Sequence, residues 1–368
     1  MDPNRPVRDP IYQTATFRFE SVEQLEEVMS KGAKFPKDKT GEYVYTRGSN
    51  PNVRRLENLI SELENAYDSV VFASGMAAIS AIAMTLLKSG SRVLLGGPVY
   101  GDTHILFKEF LAKFGIRTDI VPAHEISSVG KYDMIFLEAV TNPTLRVPPV
   151  YEIEGLLVVD NTFVTPLFYE GLKHAYAIAA SLTKFMNGHS DALGGYVASN
   201  DESLIERLRF TLFLTGAAID PFAARLIERG MLTLEHRLKV YDKAAMKLVE
   251  ELLDLGFAAY YPMHPEHPDY HIAKRLLKGF TGIVAVDVFD ERKAVEIVNA
   301  LAKEFRLAPS FGAPDTLIEL PRRLSHAFMS DKDKLRLGIT PGLIRISLGF
   351  RSPEKDVSKI VDVFKLFK

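Results

Sequence analysis

Two hydrophobic periods alternate along the middle of the chain. Between Asn50 and Asn200, short apolar runs of strand length alternate with stretches in which apolar residues recur at helical spacing. PNVRRLENLISELENA and GMAAISAIAMTLLKSG read as helices, the second closed by glycine. SVVFAS, SRVLLG, RTDIVP, YDMIFLE, GLLVVD, YAIAAS and GGYVAS read as strands, with THILFKEFLAKFG as a helix among them. Apolar strands interleaved with helices predict an α/β fold with a mostly parallel sheet covered on both faces.

The flanks read differently. Residues 1–45 carry scattered prolines, the charged stretch KGAKFPKDKTGE and little apolar period. They predict an arm with one short helix near Ser21–Met29, capped by Ser21. So long an arm is uncommon inside a compact unit, and it is expected to contact a neighbouring subunit. From Pro221 to about Gly256 the pattern predicts one long helix, with Gly230 as a possible bend. Beyond it, FAAYYP, GIVAVDVF, ERKAVEIVNALAKEF, LIRISLGF and a closing helix predict a smaller α/β domain. The expected units are an arm at 1–45, a large domain at 46–230 and a C-terminal domain at 231–368.

Composition narrows the function. The 368 residues include 45 basic and 47 acidic side chains, for a net charge of −2, which gives no reason to expect a nucleic-acid or membrane-surface partner. There is no cysteine, which excludes disulfides, thiolate metal sites and cysteine nucleophiles. No run approaches the roughly 18 apolar residues of a membrane helix. The start, MDPNRPVRDP, is polar and proline-rich, so a cytoplasmic protein is expected.

Ligands of open α/β sheets bind beyond the carboxyl ends of the strands, and four places there carry candidate chemistry. Asp160 ends the apolar strand LLVVD, where a carboxylate is costly to bury without a partner. It is either a cap for the next turn or the partner of a protonated ring nitrogen. Lys184 follows the strand AIAAS beside Ser181 and Thr183. It is either a solvated charge or a desolvated amine nucleophile. Ser74, Gly75 and Met76 form a strand-to-helix turn whose free N–H groups suit an anion, although any such turn can use Ser-Gly. Arg345 lies inside the apolar run LIRISLGF, where its planar fork suits a carboxylate from the protein or from a substrate. A lysine amine with an acidic partner is what pyridoxal 5'-phosphate (PLP) chemistry requires.

The order of these features resembles the trans-sulfuration (Cys/Met metabolism) family of PLP-dependent enzymes. The motifs are DPIYQTATF, YTRGSNPN, SGMAAI, VYGDT, EAVTNPT, VDNTF, SLTKFMNGHSD, RGMLTL, HPD and IRISLG, over nearly the whole chain. The resemblance implies the aspartate-aminotransferase fold (fold type I), with PLP bound by the large domain. Tyr45 and Arg47 would reach the cofactor phosphate of a neighbouring subunit, making a homo-oligomer, a dimer of dimers, with shared active sites. Gly75, Met76, Ser181 and Thr183 would hold the phosphate in their own subunit. Tyr100 would stack on the ring and serve as acid or base, Asp160 would pair with the ring nitrogen, and Lys184 would carry PLP as a Schiff base and act as general base. Asn142, Ser310 and Arg345 would hold the amino-acid substrate.

The implied reaction is γ-replacement or γ-elimination on a homoserine-derived or sulfur amino acid, as in cystathionine γ-synthases and γ-lyases. Cystathionine β-lyase, methionine γ-lyase and O-acylhomoserine sulfhydrylase activities are the alternatives, and a non-catalytic PLP-binding regulator is the reading from another class. Retention of Lys184, Asp160, Tyr100 and Arg345 together argues against that regulator. Three positions depart from the family pattern: Asp102 stands where glycine or cysteine is usual, Pro309 where the γ-lyases tend to carry glutamate, and Phe350-Arg351 where a glutamate usually follows the arginine strand. His264, His267 and His271 crowd a proline-rich loop, but no metal is expected there. His189 reads as structural, and Ser325-His326 lacks the G-x-S-x-G elbow of a hydrolase.

Overall fold

All the apolar runs of the middle of the chain become strands of one sheet. A computed structural model describes residues 7–30, 42–126 and 131–368. The strands are β1 (Asp68–Phe72), β2 (Arg92–Gly97), β3 (Arg117–Pro122), β4 (Met134–Glu138), β5 (Leu157–Asp160), β6 (Ala177–Ser181) and β7 (Gly195–Ser199). They lie in the order β1-β7-β6-β5-β4-β2-β3, and β7 alone runs antiparallel to its neighbours. Successive side chains enter two different cores, as the period of two requires. Leu94, Leu137 and Val159 pack on one face, and Leu95, Phe136 and Val158 on the other.

The helices before the long connection are α1 (Val22–Ser30), α2 (Pro51–Glu64), α3 (Gly75–Leu86), α4 (Gly101–Ile105) and α5 (Glu202–Thr215). Ser21 caps α1 by accepting from the Gln24 N–H at 3.2 Å, as expected from sequence. Most of KGAKFPKDKTGE lies outside the described residues. The described part of the arm hydrogen-bonds to the start of α2 in its own chain: Asn52 accepts from the Tyr12 N–H at 2.8 Å and donates to the Pro10 carbonyl at 3.0 Å. THILFKEFLAKFG is helical but irregular, with α4 passing into a wide turn at Leu106–Phe110 and a tight one at Leu111–Phe114. There the Phe107 carbonyl accepts the Thr118 hydroxyl at 2.9 Å.

The single long helix predicted from Pro221 is two helices, α6 (Pro221–Met231) and α7 (Leu234–Asp254). Gly230 lies against the main chain of Asn187, where a Cβ would stand 2.1 Å from the Asn187 oxygen. The Gly230 carbonyl accepts the Arg237 guanidinium at 2.9 Å and the Thr233 hydroxyl at 3.2 Å. These side-chain bonds compete with continuation of the helix.

The rest of the chain builds a second sheet from β8 (Ala258–Tyr260), β9 (Ile283–Asp287), β10 (Arg306–Leu307), β11 (Leu317–Glu319) and β12 (Leu343–Ser347), in the order β10-β11-β12-β9-β8. Only β10 and β11 pair in parallel. Neither of those two stood out in the sequence, because both are short. One apolar core continues from the large sheet through α7 into this sheet. Among the described residues no helix is long and apolar enough to cross a membrane.

A buried ion cluster joins α2, β1 and α5. Arg54 meets Glu57 at 2.9 Å and Asp68 at 2.8 Å, and Arg209 meets Glu57 at 3.0 Å and Asp68 at 2.9 Å. Arg209→Leu leaves the two carboxylates with one guanidinium. We expect it to lower the unfolding free energy by about 3–5 kcal/mol, read as a fall in the urea midpoint.

Candidate active site

The carboxyl ends of β4, β5 and β6 and the amino end of α3 open into one pocket with about 870 Å³ of empty space. Glu138, Asp160 and Ser181 are the last residues of their strands. Parallel pairing places Glu138 beside Asp160 in register.

The turn before α3 closes tightly on β6 and β7. Ser74 caps the helix by accepting from the Ala77 N–H at 3.0 Å. A Cβ on Gly75 would stand 2.8 Å from the Ser181 Cβ, and one on Gly195 only 2.3 Å from the Ser74 oxygen. The first N–H groups of a helix have no partner within it, and those of Gly75 and Met76 lie at a pocket wall shared with Ser181 and Thr183. That wall fits an anion such as a phosphate. Thr183 is partly engaged, since its hydroxyl accepts from the Gly194 N–H at 3.1 Å.

Asp160 is buried and accepts from the Thr162 N–H at 2.8 Å. Burial pushes its carboxyl up to about 6, against the hydrogen bonds from Thr162. Among the described residues, no lysine, arginine or histidine forms an ion pair with it. A cationic ring nitrogen in the pocket would supply the missing partner, so the site fits PLP. Glu138 is raised as well, by burial first and then by Asp160. It accepts from the Tyr100 N–H at 2.6 Å and from the Asn142 N–H at 2.7 Å, which fixes both residues. Sequence reading passed over Glu138, although it too is an acid ending an apolar strand.

Lys184 sits in the turn after β6. Its Nζ donates to the Ser310 hydroxyl at 2.9 Å and lies 4.9 Å from the centre of the Phe311 ring. Burial pushes its ammonium down to about 8; Arg345 adds to the shift and Glu319 opposes it. The loop bearing Ser310 is pressed on the lysine turn. Gly312 has φ +70°, and a Cβ there would stand 2.7 Å from the Phe185 nitrogen. Behind that turn, Arg237 donates to the Phe185 carbonyl at 2.7 Å and the Met186 carbonyl at 3.2 Å.

The Arg345 guanidinium, buried on β12, donates to Asn142 Oδ1 at 2.9 Å and to the Ser310 carbonyl at 3.1 Å. It also pairs with Glu319 at 3.1 Å, directly across from it on β11. Glu319 accepts from Ser325 at 2.8 Å through one oxygen, and its other oxygen has no hydrogen-bond partner among the described residues. Sequence analysis missed Glu319 because β11 carries no recognisable pattern. Tyr100 lines the pocket, and its hydroxyl donates to Asp102 at 2.7 Å. Burial and the Asp102 carboxylate push the phenol up.

Tyr45 and Arg47 do not line this pocket in their own chain. Tyr45 is exposed, and Arg47 stacks 4.3 Å over the Phe213 ring. His264, His267, His189 and His326 make local hydrogen bonds. His267 Nδ1 accepts from the Asp269 N–H at 3.1 Å, while Asp269 takes a bidentate bond from Arg146 at 2.6 and 2.8 Å. Among the described residues no group of three His, Asp or Glu side chains is placed to hold a metal. His189 bonds the Asn187 carbonyl at 2.7 Å. Burial pushes His326 down to about 4, and its Nε2 meets the Val99 carbonyl at 3.1 Å.

Residues 2–361 match the family described as Cys/Met metabolism PLP-dependent enzyme. Cystathionine γ-lyase of Bacillus subtilis is 35% identical, with 94% of this chain and 90% of that protein aligned. L-Methionine γ-lyase of Fusobacterium nucleatum subsp. polymorphum is 34% identical, over 95% of this chain and 91% of that protein. The crystal structure of MetB from Corynebacterium glutamicum superposes with a TM-score of 0.88 at 28% identity, covering 100% of this chain and 95% of that one. The motif order, the pocket and these relatives agree: the chain belongs to the Cys/Met metabolism family of PLP-dependent enzymes, acting on small amino-acid substrates with pyridoxal 5'-phosphate as its cofactor.

Proposed function

We propose that this enzyme catalyses γ-replacement or γ-elimination on a homoserine-derived or sulfur amino acid, as a cystathionine γ-synthase or γ-lyase. One observation carries the reading. A desolvated lysine and a buried acid with no cationic partner among the described residues share a pocket with a clamped arginine. Bound PLP supplies an aldehyde for amines and a ring that withdraws electrons from the substrate Cα. The chain supplies everything else. The Gly75 and Met76 N–H groups, with Ser181 and Thr183, hold the phosphate. Asp160 would keep the ring nitrogen protonated, and Tyr100 would pack against the ring. Lys184 would be the residue to which the cofactor attaches, and its neutral amine would be the base for the substrate Cα proton.

Arg345 and Asn142 grip the substrate carboxylate, with Ser310 holding the lysine amine close by. The Tyr100 hydroxyl serves as the acid or base at the γ-substituent. In the same reading, Tyr45 and Arg47 complete the phosphate site of a neighbouring subunit in a cytoplasmic homotetramer. Their position outside their own pocket supports that role.

The deciding experiment is a product assay by mass spectrometry. Cystathionine formed from an O-acylhomoserine only when L-cysteine is present identifies γ-replacement. 2-Oxobutyrate and cysteine formed from L-cystathionine identify γ-elimination. Pyruvate and homocysteine from cystathionine would overturn both in favour of β-elimination.

Lys184 of the cofactor-free protein should react with a small acylating reagent with a midpoint near pH 8. The neutral amine is the nucleophile, so the rate rises with pH and levels off above that midpoint. Peptide mapping against Lys184→Ala isolates the signal, and a midpoint near 10 would remove the case for a desolvated amine. Asp160→Ala should cost far more in kcat than in PLP affinity, read by steady-state kinetics beside cofactor titration.

A further inference from the structure

Asp102 is a charged residue hydrogen-bonded to the pocket-lining Tyr100, and the chemistry above leaves it without a role of its own. Its Oδ2 accepts the Tyr100 hydroxyl at 2.7 Å, and its side chain is exposed. The main chain beside it cannot swing away. A Cβ on Gly101 would stand 2.2 Å from the Ser325 oxygen and 2.3 Å from the Phe328 ring, so the turn is pinned under that loop. The other charged groups that act on Tyr100 are Glu319 and Arg345, and these pair with each other at 3.1 Å. Among the described residues, Asp102 forms no ion pair. It is therefore a carboxylate without an ion-pair partner among the described residues, in contact with a phenol that lines the pocket.

In the γ-substitution reading, a substrate with its carboxylate at Arg345 and its γ-substituent at the Tyr100 hydroxyl would bring the far end of that substituent near Asp102, the partner of that hydroxyl. We infer that Asp102 is a specificity-determining residue that rejects substrates whose γ-substituent ends in an anion and admits those ending in a neutral group. The inference rests on the γ-substitution reading. Rejection by like charge requires no contact with the favoured substrate, only a cost imposed on the wrong one. Because the carboxylate is exposed, the discrimination weakens as salt rises.

The test uses the PLP-loaded enzyme and two esters, O-acetyl-L-homoserine and O-succinyl-L-homoserine, which differ at the acyl end by a carboxylate. Two readouts are taken for each, kcat/KM and the dissociation constant from the change in cofactor absorbance. The variants are Asp102→Asn, whose amide oxygen still accepts the Tyr100 hydrogen bond, and Asp102→Ala. We expect the wild type to prefer the acetyl ester. Asp102→Asn should raise the succinyl-to-acetyl ratio of kcat/KM by about tenfold, the size of one like-charge contact near a protein surface; a change in the acidity of the Tyr100 phenol acts on both esters and leaves that ratio alone. The wild-type preference should shrink in high salt, and that of Asp102→Asn should not. An unchanged succinyl-to-acetyl ratio in both variants overturns the inference while leaving the γ-substitution reading in place. Failure of the wild type to bind or convert either ester overturns the inference, and the parent reading falls with it only if L-cystathionine also yields no 2-oxobutyrate.

Discussion

Glu138 and Asp160 are carboxylates on adjacent strands, in register, at the rim of an apolar sheet. A charge taken from water is costly unless donors replace the solvent, and much of the pocket can be read as the set of donors that this requires. Glu138 draws in the backbone N–H groups of Tyr100 and Asn142. That places a phenol on one side of the pocket and an amide on the other. The Asn142 amide then reaches Arg345 of the second sheet, so one acid on β4 links Tyr100, Asn142 and the interface between the sheets. Asp160 is satisfied only in part by Thr162, which is the condition under which a cationic cofactor atom gains most from its presence.

The second sheet completes the chemistry. Its loop from Pro309 to Gly312 presses on the lysine turn, and its β11–β12 pair presents Arg345 already neutralised by Glu319. A buried arginine without such a partner would lower the lysine further and draw in any anion. With Glu319 opposite, the guanidinium stays in place while its remaining donors turn toward Asn142 and the Ser310 carbonyl. Close packing between glycines and main chain fixes the amino end of α3. Gly75 and Gly195 let the capping turn of α3 lie against β6 and β7 with no side chain between them.

What the sequence determined by itself is local. Continuous apolar runs of strand length become strands in a buried sheet, so the seven strands of the large sheet were legible, as were the Ser21 cap, the strand-end position of Asp160 and the place of Lys184 just after β6. The order of motifs along the chain was enough to name the family. The tertiary structure decided what depends on residues far apart. The long helix after Pro221 splits because Arg237 and Asn187 compete around Gly230, which no helical period records. Glu319 matters only because β11 lies across from β12. Asp102 could be seen as an unusual residue from the sequence, but its contact with the Tyr100 phenol depends on a turn pinned by Ser325 and Phe328. Burial, pairing and charge compensation are properties of neighbours in space, and a linear pattern reports them only where those neighbours are also close along the chain.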